Sequence, residues 1–299
     1  MNKLNWIINR HVLNALCAAP LLLGSVYALA EEAAPAVAAI AAPAEPAPPY
    51  TLSFNLGLYS EYMFRGVDTA DGPALQGGID YAHSSGLYAG TWWSTIDSYW
   101  TGNGDGFSGG NHLETDWYAG YAYTFANGLG VNVMGNYYYY PDSERSFSYS
   151  TSGVSDGNKQ NSFETSIALS YKFLTYTFYY MPTDYYGAAA SGTKDGTRDT
   201  KGATYNELKF NYTLPVGDLN LLAKVGYQHT PNLAGSQGDY MIGLSRNFSL
   251  PGAGKPIEGF SAGGYYTNTF DVEDQTFYQS GNDRDTNGEK LWFFVKRTW

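Results

Sequence analysis

The chain has 299 residues, of which 43% are hydrophobic and 17% aromatic, while only 15% are charged. A charged fraction below the roughly 25% of soluble domains, together with 28 Tyr and 35 Gly, is typical of a β-protein with much amphipathic surface. The net charge of −11 argues against nucleic acid as a partner, because phosphate binding requires a basic face.

Residues 1–30 have the pattern of a secretory signal peptide. Lys3 and Arg10 precede an apolar run that ends in the small-residue cleavage pattern Ala-Leu-Ala at 28–30. An uncleaved anchor is disfavoured because an asparagine and a proline interrupt the run. The single cysteine lies in this segment, so the mature chain has no disulfide and no thiol chemistry.

Residues 31–49 form a low-complexity stretch with nine Ala, five Pro and three Glu. This composition has too little bulk for a core and too much proline for a helix, so we expect a partly extended periplasmic spacer.

From Tyr50 onward the hydrophobic pattern has period two. In residues 51–58, for example, leucine and phenylalanine alternate with small or polar residues. Because successive side chains of a strand point to opposite faces, each such segment has one apolar and one polar face. The pattern predicts twelve strands, at 51–65, 74–82, 87–96, 113–125, 129–140, 162–173, 174–183, 204–214, 219–228, 239–248, 257–266 and 290–299.

The connections between these segments alternate between short and long. Short turns are expected at 83–86, 126–128, 173–174, 215–218 and 249–256, and longer loops at 66–73, 97–112, 141–161, 184–203, 229–238 and 267–289. A secreted β-sandwich explains the alternating strands equally well, but it does not explain long loops at one end only. The predicted fold is therefore all-β: a single 12-stranded antiparallel transmembrane β-barrel, residues 50–299, with short periplasmic turns and long extracellular loops.

The last segment ends on a large apolar residue. Leu291, Phe293, Val295 and Trp299 share the face expected to contact lipid. Since an open sheet edge is not tolerated in lipid, we expect this strand to close the barrel, with Trp299 at the periplasmic interface.

Three motifs occur between residues 55 and 97. N-x-G-L-x-S-x-Y-x-F-R-G falls on 55–66, P-x-x-Q-G-G-x-D-Y on 73–81, and G-x-Y-x-G-T-W on 86–92. This stretch resembles the opening of the TorF-like porins. The resemblance implies a barrel in the bacterial outer membrane with outer-membrane lipid around it. A terminal aromatic such as Trp299 also resembles the ending that such barrels present to their assembly machinery, which the resemblance implies as a partner.

With the apolar faces toward lipid, the polar faces line a lumen. The predicted pore-lining charges are Glu61, Asp80, Asp116, Glu164, Glu207 and Asp239 on the acidic side, and Arg65, Lys172, Lys209, Lys224, Lys290 and Lys296 on the basic side. Because six residues of each sign give no ring of a single charge, we expect weak ion selectivity. Alternatively, the same residues form ion pairs between neighbouring strands and only support the wall. Inward Tyr59, Tyr118, Tyr138 and Tyr179 would narrow a modest bore to small solutes.

In the loops at 97–112, 141–161 and 267–289, Asp and Glu outnumber Lys and Arg. A negative vestibule concentrates cations, which predicts a mild cation preference, although these side chains also suit a solvated surface. Asp283, Asp285 and Asn287 match the opening of a calcium-binding loop, but Phe294 stands where the bidentate Glu belongs. The motif therefore fits either a calcium-binding loop or an ordinary Asn-Gly loop tip.

The function that these observations favour is passive diffusion of small hydrophilic solutes or ions through an outer-membrane porin. One alternative is a structural or adhesive barrel with a plugged lumen. Another is an outer-membrane hydrolase, which requires a nucleophile, a base and an orienting group in register. His83, His112 and His229 of the mature chain have no nucleophile motif beside them, so we expect no enzyme, and no cofactor.

Overall fold

The computed structural model describes residues 48–70, 72–97, 107–108, 112–141, 143–145, 159–187, 199–233, 235–273 and 286–299. The predicted signal peptide and all but the end of the spacer lie outside them. Across these ranges, no helix is long and apolar enough to cross a membrane. The main strands are β1 (Tyr50–Tyr59), β2 (Ala74–His83), β3 (Leu87–Thr95), β4 (Leu113–Thr124), β5 (Leu129–Tyr139), β6 (Ser162–Tyr171), β7 (Leu174–Met181), β8 (Ala203–Thr213), β9 (Leu219–Thr230), β10 (Gly235–Leu250), β11 (Ile257–Phe270) and β12 (Lys290–Thr298).

These twelve strands form one closed antiparallel barrel, in which each strand pairs with its neighbours in the chain and β1 pairs with β12. The closing ladder runs from the pair Asn55 and Thr298 to the pair Tyr59 and Phe294. Trp299 extends it, because its N–H donates to the carbonyl of Phe54 at 2.9 Å and its carbonyl accepts from the same residue at 3.2 Å. The predicted fold class and the closing role of the last segment are confirmed.

The outer face of the barrel is apolar, whereas the inner face carries buried charged and polar side chains together with a cluster of buried aromatic residues. Leu58 and Leu291 are 58% and 63% exposed, whereas Asp116 and Asp239 are fully buried. This distribution is the reverse of that in a water-soluble protein, where large exposed apolar surfaces are rare. It follows directly from the period-two pattern once the apolar face points outward.

The connections define two ends of the barrel. The end that carries Tyr50 and Trp299, here called the terminal end, has short connections at 84–86, 125–128, 172–173, 214–218 and 251–256. The opposite end, here called the loop end, has connections at 60–73, 96–112, 140–161, 182–202, 231–234 and 271–289. β9 and β10 form an extended hairpin, paired as far as Thr230 and Gly235. The connection of moderate length predicted at 229–238 was therefore wrong.

The first strand also differs from its predicted span of 51–65. It stops at Tyr59, and the chain beyond leaves the barrel wall. Ser60 takes part in this exit, since its N–H donates to the carbonyl of Phe293 at 2.8 Å and its hydroxyl accepts from the N–H of Phe293 at 2.9 Å. The alternation of apolar residues continues past this point, but the residues that carry it lie inside the lumen.

Candidate functional site

A short hairpin, residues 60–70, lies inside the barrel and is called the inward hairpin below. Met63–Phe64 pairs with Val67–Asp68. The two residues between them, Arg65 and Gly66, have φ values of 49° and 80°. Two successive positive φ angles are typical of the type I′ turn that joins tightly paired strands.

The tip of the inward hairpin rests against the inner wall of the barrel at β10 and β11, three and two strands away from β1. The Nε2 of Gln237 on β10 donates to the carbonyl of Arg65 at 3.0 Å. Gly66 packs so closely that an added Cβ would lie 2.6 Å from Thr269 Cγ2 and 2.8 Å from Asp239 Cβ. A chain segment that starts at β1 and touches β10 and β11 in this way must pass through the lumen.

The base of the hairpin is fixed to the neighbourhood of β12. The N–H of Asp68 donates to the carbonyl of Thr286 at 2.6 Å, and the Asp68 carboxylate lies 3.2 Å from Lys290 Nζ. Asp68 is almost completely buried, so its charge is compensated by this lysine. The hairpin is thus held at both ends by polar contacts.

The guanidinium of Arg65 is enclosed by a carboxylate and three aromatic rings. Its Nη2 lies 2.8 and 2.9 Å from the two oxygens of Glu164 on β6. Its Cζ is 4.4 Å from the ring centre of Tyr205, 4.8 Å from that of Phe64 and 4.9 Å from that of Tyr179. Arg65 is only 6% exposed. Charge-assisted bonds and ring faces both strengthen when water is excluded, so this enclosure, called the cation cage below, binds the guanidinium firmly.

The walls of the cage are themselves positioned by hydrogen bonds. Tyr138 on β5 donates its hydroxyl to Glu164 Oε2 at 3.0 Å, and Tyr205 on β8 donates to Asp239 Oδ2 at 2.8 Å. Gly226 on β9 lies beneath the Tyr205 ring, where a Cβ would overlap the ring atoms. The glycine therefore allows Tyr205 to lie flat against the wall and present its face to Arg65.

A second cation, Lys224 on β9, lies next to the cage. Its Nζ is 3.4 Å from Glu207 and 3.6 Å from Asp239, and the lysine side chain is 13% exposed. Buried ions of this kind are tolerated only with compensating partners. Lys209, on the next inward position of β8 from Glu207, faces Lys224 across the ladder.

A pair of buried carboxylates lies on the other side of the hairpin, on β4. Tyr62 donates its hydroxyl to Glu114 Oε1 at 3.2 Å, and Asn136 Nδ2 donates to Asp116 Oδ2 at 3.2 Å. Burial, followed by the neighbouring Glu114 carboxylate, raises the pKa of the Tyr62 phenol well above its ordinary value. The phenol is therefore a neutral donor toward Glu114 at physiological pH.

Metal ligands are sparse in the described part of the chain, which has no group of three or more His, Cys, Asp or Glu side chains arranged to hold an ion. Of the predicted calcium ligands, Asp283 and Asp285 lie outside the described residues. Asn287 is buried and forms a β-bridge with Val67 of the inward hairpin. The backbone of Asn287 thus pairs with the inward hairpin. Calcium binding in this loop stays a prediction.

A turn from the connection between β7 and β8 packs on the hairpin from the loop end. It comprises Tyr185–Gly187, and the ring of Tyr186 meets those of Tyr138 and Phe64 edge-on at 5.2 and 6.2 Å. Gln228 on β9 donates to the hydroxyl of the first tyrosine of the turn. The inward hairpin and this turn therefore both lie in the lumen toward the loop end.

The lumen toward the terminal end is polar and more exposed. Thr51 and Thr213 are exposed inward residues near the rim, and Asn55 is half-buried. Further in, the Asp80 carboxylate accepts a hydrogen bond from Tyr118. Polar side chains therefore reach from the rim of the terminal end inward to Asp80, whereas Tyr88 and Leu222 on the same inner face are buried.

Most of the predicted pore-lining residues lie on the inward faces of strands. These are Asp80, Asp116, Glu164, Glu207, Lys209, Lys224 and Asp239. Glu61 and Arg65 also lie inside the lumen, but on the inward hairpin rather than on β1. Lys172 was placed wrongly: it is exposed in the turn between β6 and β7, with a φ of 55° and its ammonium 5.3 Å from the Tyr171 ring centre.

Several residues that shape the site were not singled out in the sequence. They include Tyr62, which the strand pattern placed on the lipid face, and Gln237, which was assigned to a loop. One local signal was available, because Arg65-Gly66 lies between Met63-Phe64 and Val67-Asp68, and a two-residue connection ending in glycine indicates a hairpin.

Sequence comparison places the chain in a family. A profile described as a bacterial protein of unknown function, Gcw_chp, matches residues 43–299. The chain belongs to this family. No curated protein matches it by sequence. The family description names no activity, so the resemblance of residues 55–97 to the TorF-like porins stays a prediction.

Solved structures with a similar arrangement of strands are porins with distant sequences. The KdgM porin, in complex with disordered oligogalacturonate, has a TM-score of 0.47 and 10% identity over 83% of this chain and 99% of that chain. The OpdL structure from Pseudomonas aeruginosa has a TM-score of 0.36 and 13% identity, over 83% of this chain and 67% of that chain. Similarities at this level do not bear on solute or mechanism.

Proposed function

We propose that this protein is a bacterial outer-membrane porin that passes small hydrophilic solutes or ions, and that the inward hairpin forms its constriction. The observation that carries the proposal is the reversed distribution of polarity, with apolar side chains outside and buried charges inside. A closed barrel with such a surface satisfies every wall hydrogen bond internally, which is what a lipid environment requires.

The lumen supports a preference for cations. Among the described residues of the inward strand faces and the hairpin, eight carboxylates accompany five cationic groups. The carboxylates are Glu61, Asp68, Asp80, Glu114, Asp116, Glu164, Glu207 and Asp239, and the cationic groups are Arg65, Lys209, Lys224, Lys290 and Lys296. An excess of three acidic over basic side chains in a narrow, low-dielectric passage favours cations over anions.

The last strand, β12, supports a second part of the proposal, which is that the barrel-assembly machinery recognises this strand. Trp299 is 53% exposed on the outer face, and the Arg297 guanidinium lies 4.7 Å from its ring centre. An aromatic and a cation at this end suit the membrane interface. We infer that this strand is the segment that the machinery recognises before the barrel closes.

A plugged structural barrel is the second candidate, and the inward hairpin favours it. Tyr138, Glu164 and Asp239, at the level of the hairpin, are all at most 1% exposed. If the hairpin never moves, the barrel holds no open path and serves as a scaffold or surface anchor.

The contacts of the described histidines do not favour a hydrolase. His229 Nδ1 is 3.1 Å from the hydroxyl of Ser236, but the nearby Glu273 carboxylate accepts from the backbone N–H of Ser236 instead of orienting the imidazole. In a catalytic triad, the carboxylate accepts a hydrogen bond from the histidine and so orients the imidazole.

Planar-bilayer recording of the refolded chain from residue 31 onward tests the proposal. We expect discrete conductance steps and a reversal potential, in a salt gradient, on the cation-selective side. A correctly folded barrel that passes no current would contradict the porin function and support the plugged barrel. A reversal potential on the anion side would contradict only the cation preference.

A further inference from the structure

We propose that the cation cage is a binding subsite for solutes that carry a guanidinium group, and that Arg65 occupies it as an internal ligand when no such solute is present. A solute of this class would displace Arg65, release the tip of the inward hairpin and widen the lumen. The displacement step rests on the proposed porin function, whereas binding in the cage does not.

The chemistry of the cage fits a planar cation. Two tyrosine faces, those of Tyr179 and Tyr205, and the two oxygens of Glu164 converge on one guanidinium, all within 5 Å of it. A guanidinium stacks on rings and donates several hydrogen bonds in one plane, while an ammonium is compact and more strongly hydrated. We therefore expect guanidinium compounds to bind more tightly than alkylammonium compounds.

The charges around the cage require a cation in it. Glu164, Glu207 and Asp239 provide three negative charges, and Lys224 compensates directly for the last two. Removing Arg65 without replacement takes from the buried Glu164 the two close contacts that its oxygens make with the guanidinium. Because a buried carboxylate that loses a cationic partner is costly, a cation from solution is drawn into the vacated position.

The backbone at Arg65 shows that arginine is not there for the turn. Its φ of 49° is a left-handed conformation, in which Asn, Asp and Gly are favoured at this turn position and arginine is strained. The turn would form more easily with asparagine. The strain is therefore compensated by what the guanidinium contacts, as is common for residues that act in binding or switching.

The described polar contacts of the tip differ from those of the base. At the tip they are the guanidinium contacts with Glu164 and the hydrogen bond from Gln237 Nε2 to the Arg65 carbonyl. The firm contacts, through Ser60 and Asp68, lie at the base. Loss of the guanidinium contacts would thus allow the tip to move while the base stays in place.

Three variants separate these steps. Arg65→Asn removes the guanidinium and keeps a residue suited to the turn. Arg65→Lys keeps the charge without the planar fork, and Arg65→Asn with Glu164→Gln also removes the anion. Binding of ethylguanidinium to each folded barrel in detergent is measured by calorimetry, with urea as the neutral planar control. Heat-modifiable migration in gels verifies that each variant is folded.

We expect Arg65→Asn to bind ethylguanidinium at least tenfold more tightly than the wild type, the double variant to lose this gain, and urea to bind to none of them. In bilayers, millimolar ethylguanidinium should raise the open fraction of the wild type toward that of Arg65→Asn. If Arg65→Asn binds no more tightly than the wild type, the subsite is refuted. If it binds but ethylguanidinium leaves the wild-type current unchanged, displacement is refuted.

The two proposals fail separately. Binding to Arg65→Asn in a barrel that never conducts would contradict the porin function and leave the subsite in place. Conductance without binding would contradict the subsite and leave the porin function in place.

Discussion

The lipid-facing belt predicts a large cost for a charge at Ile167. This residue lies in the middle of β6, is 46% exposed, and is flanked on the neighbouring strands by Val133 and Phe178. An arginine near the bilayer midplane destabilises an outer-membrane barrel by about 2–4 kcal/mol. A penalty of that size lowers the folding equilibrium constant by roughly 30- to 700-fold.

Tyr171 provides the matched control. It lies on the same strand and the same face, is 50% exposed, and ends β6 beside the turn at the terminal end. Close to the interface, an arginine costs only about 0–1 kcal/mol. Urea unfolding in lipid vesicles, followed by tryptophan fluorescence, should therefore show a large loss of stability for Ile167→Arg and a small one for Tyr171→Arg.

The comparison has a clear negative outcome. On a water-exposed surface both substitutions would change stability by no more than about 0.5 kcal/mol. Equal effects of Ile167→Arg and Tyr171→Arg would therefore refute the assignment of this face to the membrane interior. Ile167→Leu, which keeps the apolar surface, should be indistinguishable from the wild type.

Three further predictions concern the lumen and the closing strand. Gly66→Ala should enlarge the conductance steps, since its Cβ has no room beside Thr269 and Asp239; unchanged steps with normal folding would contradict the close packing of the tip. Lys224→Met should shift the reversal potential further toward cations, because two buried carboxylates lose their cation; a shift toward anions would contradict this electrostatic account. Trp299→Ala should slow assembly into vesicles that contain the assembly machinery and leave the folded barrel's conductance unchanged; normal assembly kinetics would remove this residue from the recognition step.

The wall of the barrel could be predicted from the sequence because the pattern of each wall strand depends only on residues that are close together in the chain. A lipid-facing strand must show apolar residues at every second position, and segments such as β1 and β7 show them without interruption. The direction of side chains such as Glu164 and Lys224 follows from the same parity. No contact between distant residues is needed to predict these features.

The inward hairpin could not be predicted in the same way because its stability depends on distant contacts. Tyr62 and Phe64 continue the alternation of β1, so periodicity alone extends the strand to them. Their burial depends instead on Glu114, Tyr138 and other residues of β4 to β8, whose positions are known only after the barrel has closed. The prediction for Lys172 was wrong for a related reason. Lys172 lies in a tight turn, so the strand alternation that assigned it to the lumen does not apply to it.

The most direct test of the account removes the inward hairpin. Tyr59 and Ala74 are register partners at the end of β1 and β2, so an Asn-Gly turn can replace residues 60–73 and still join the two strands. The account predicts discrete single-channel steps that are several times larger in the replaced barrel than in the wild type, at the same salt concentration. A folded replacement barrel that conducts no better than the wild type would contradict the claim that the hairpin constricts a water-filled lumen.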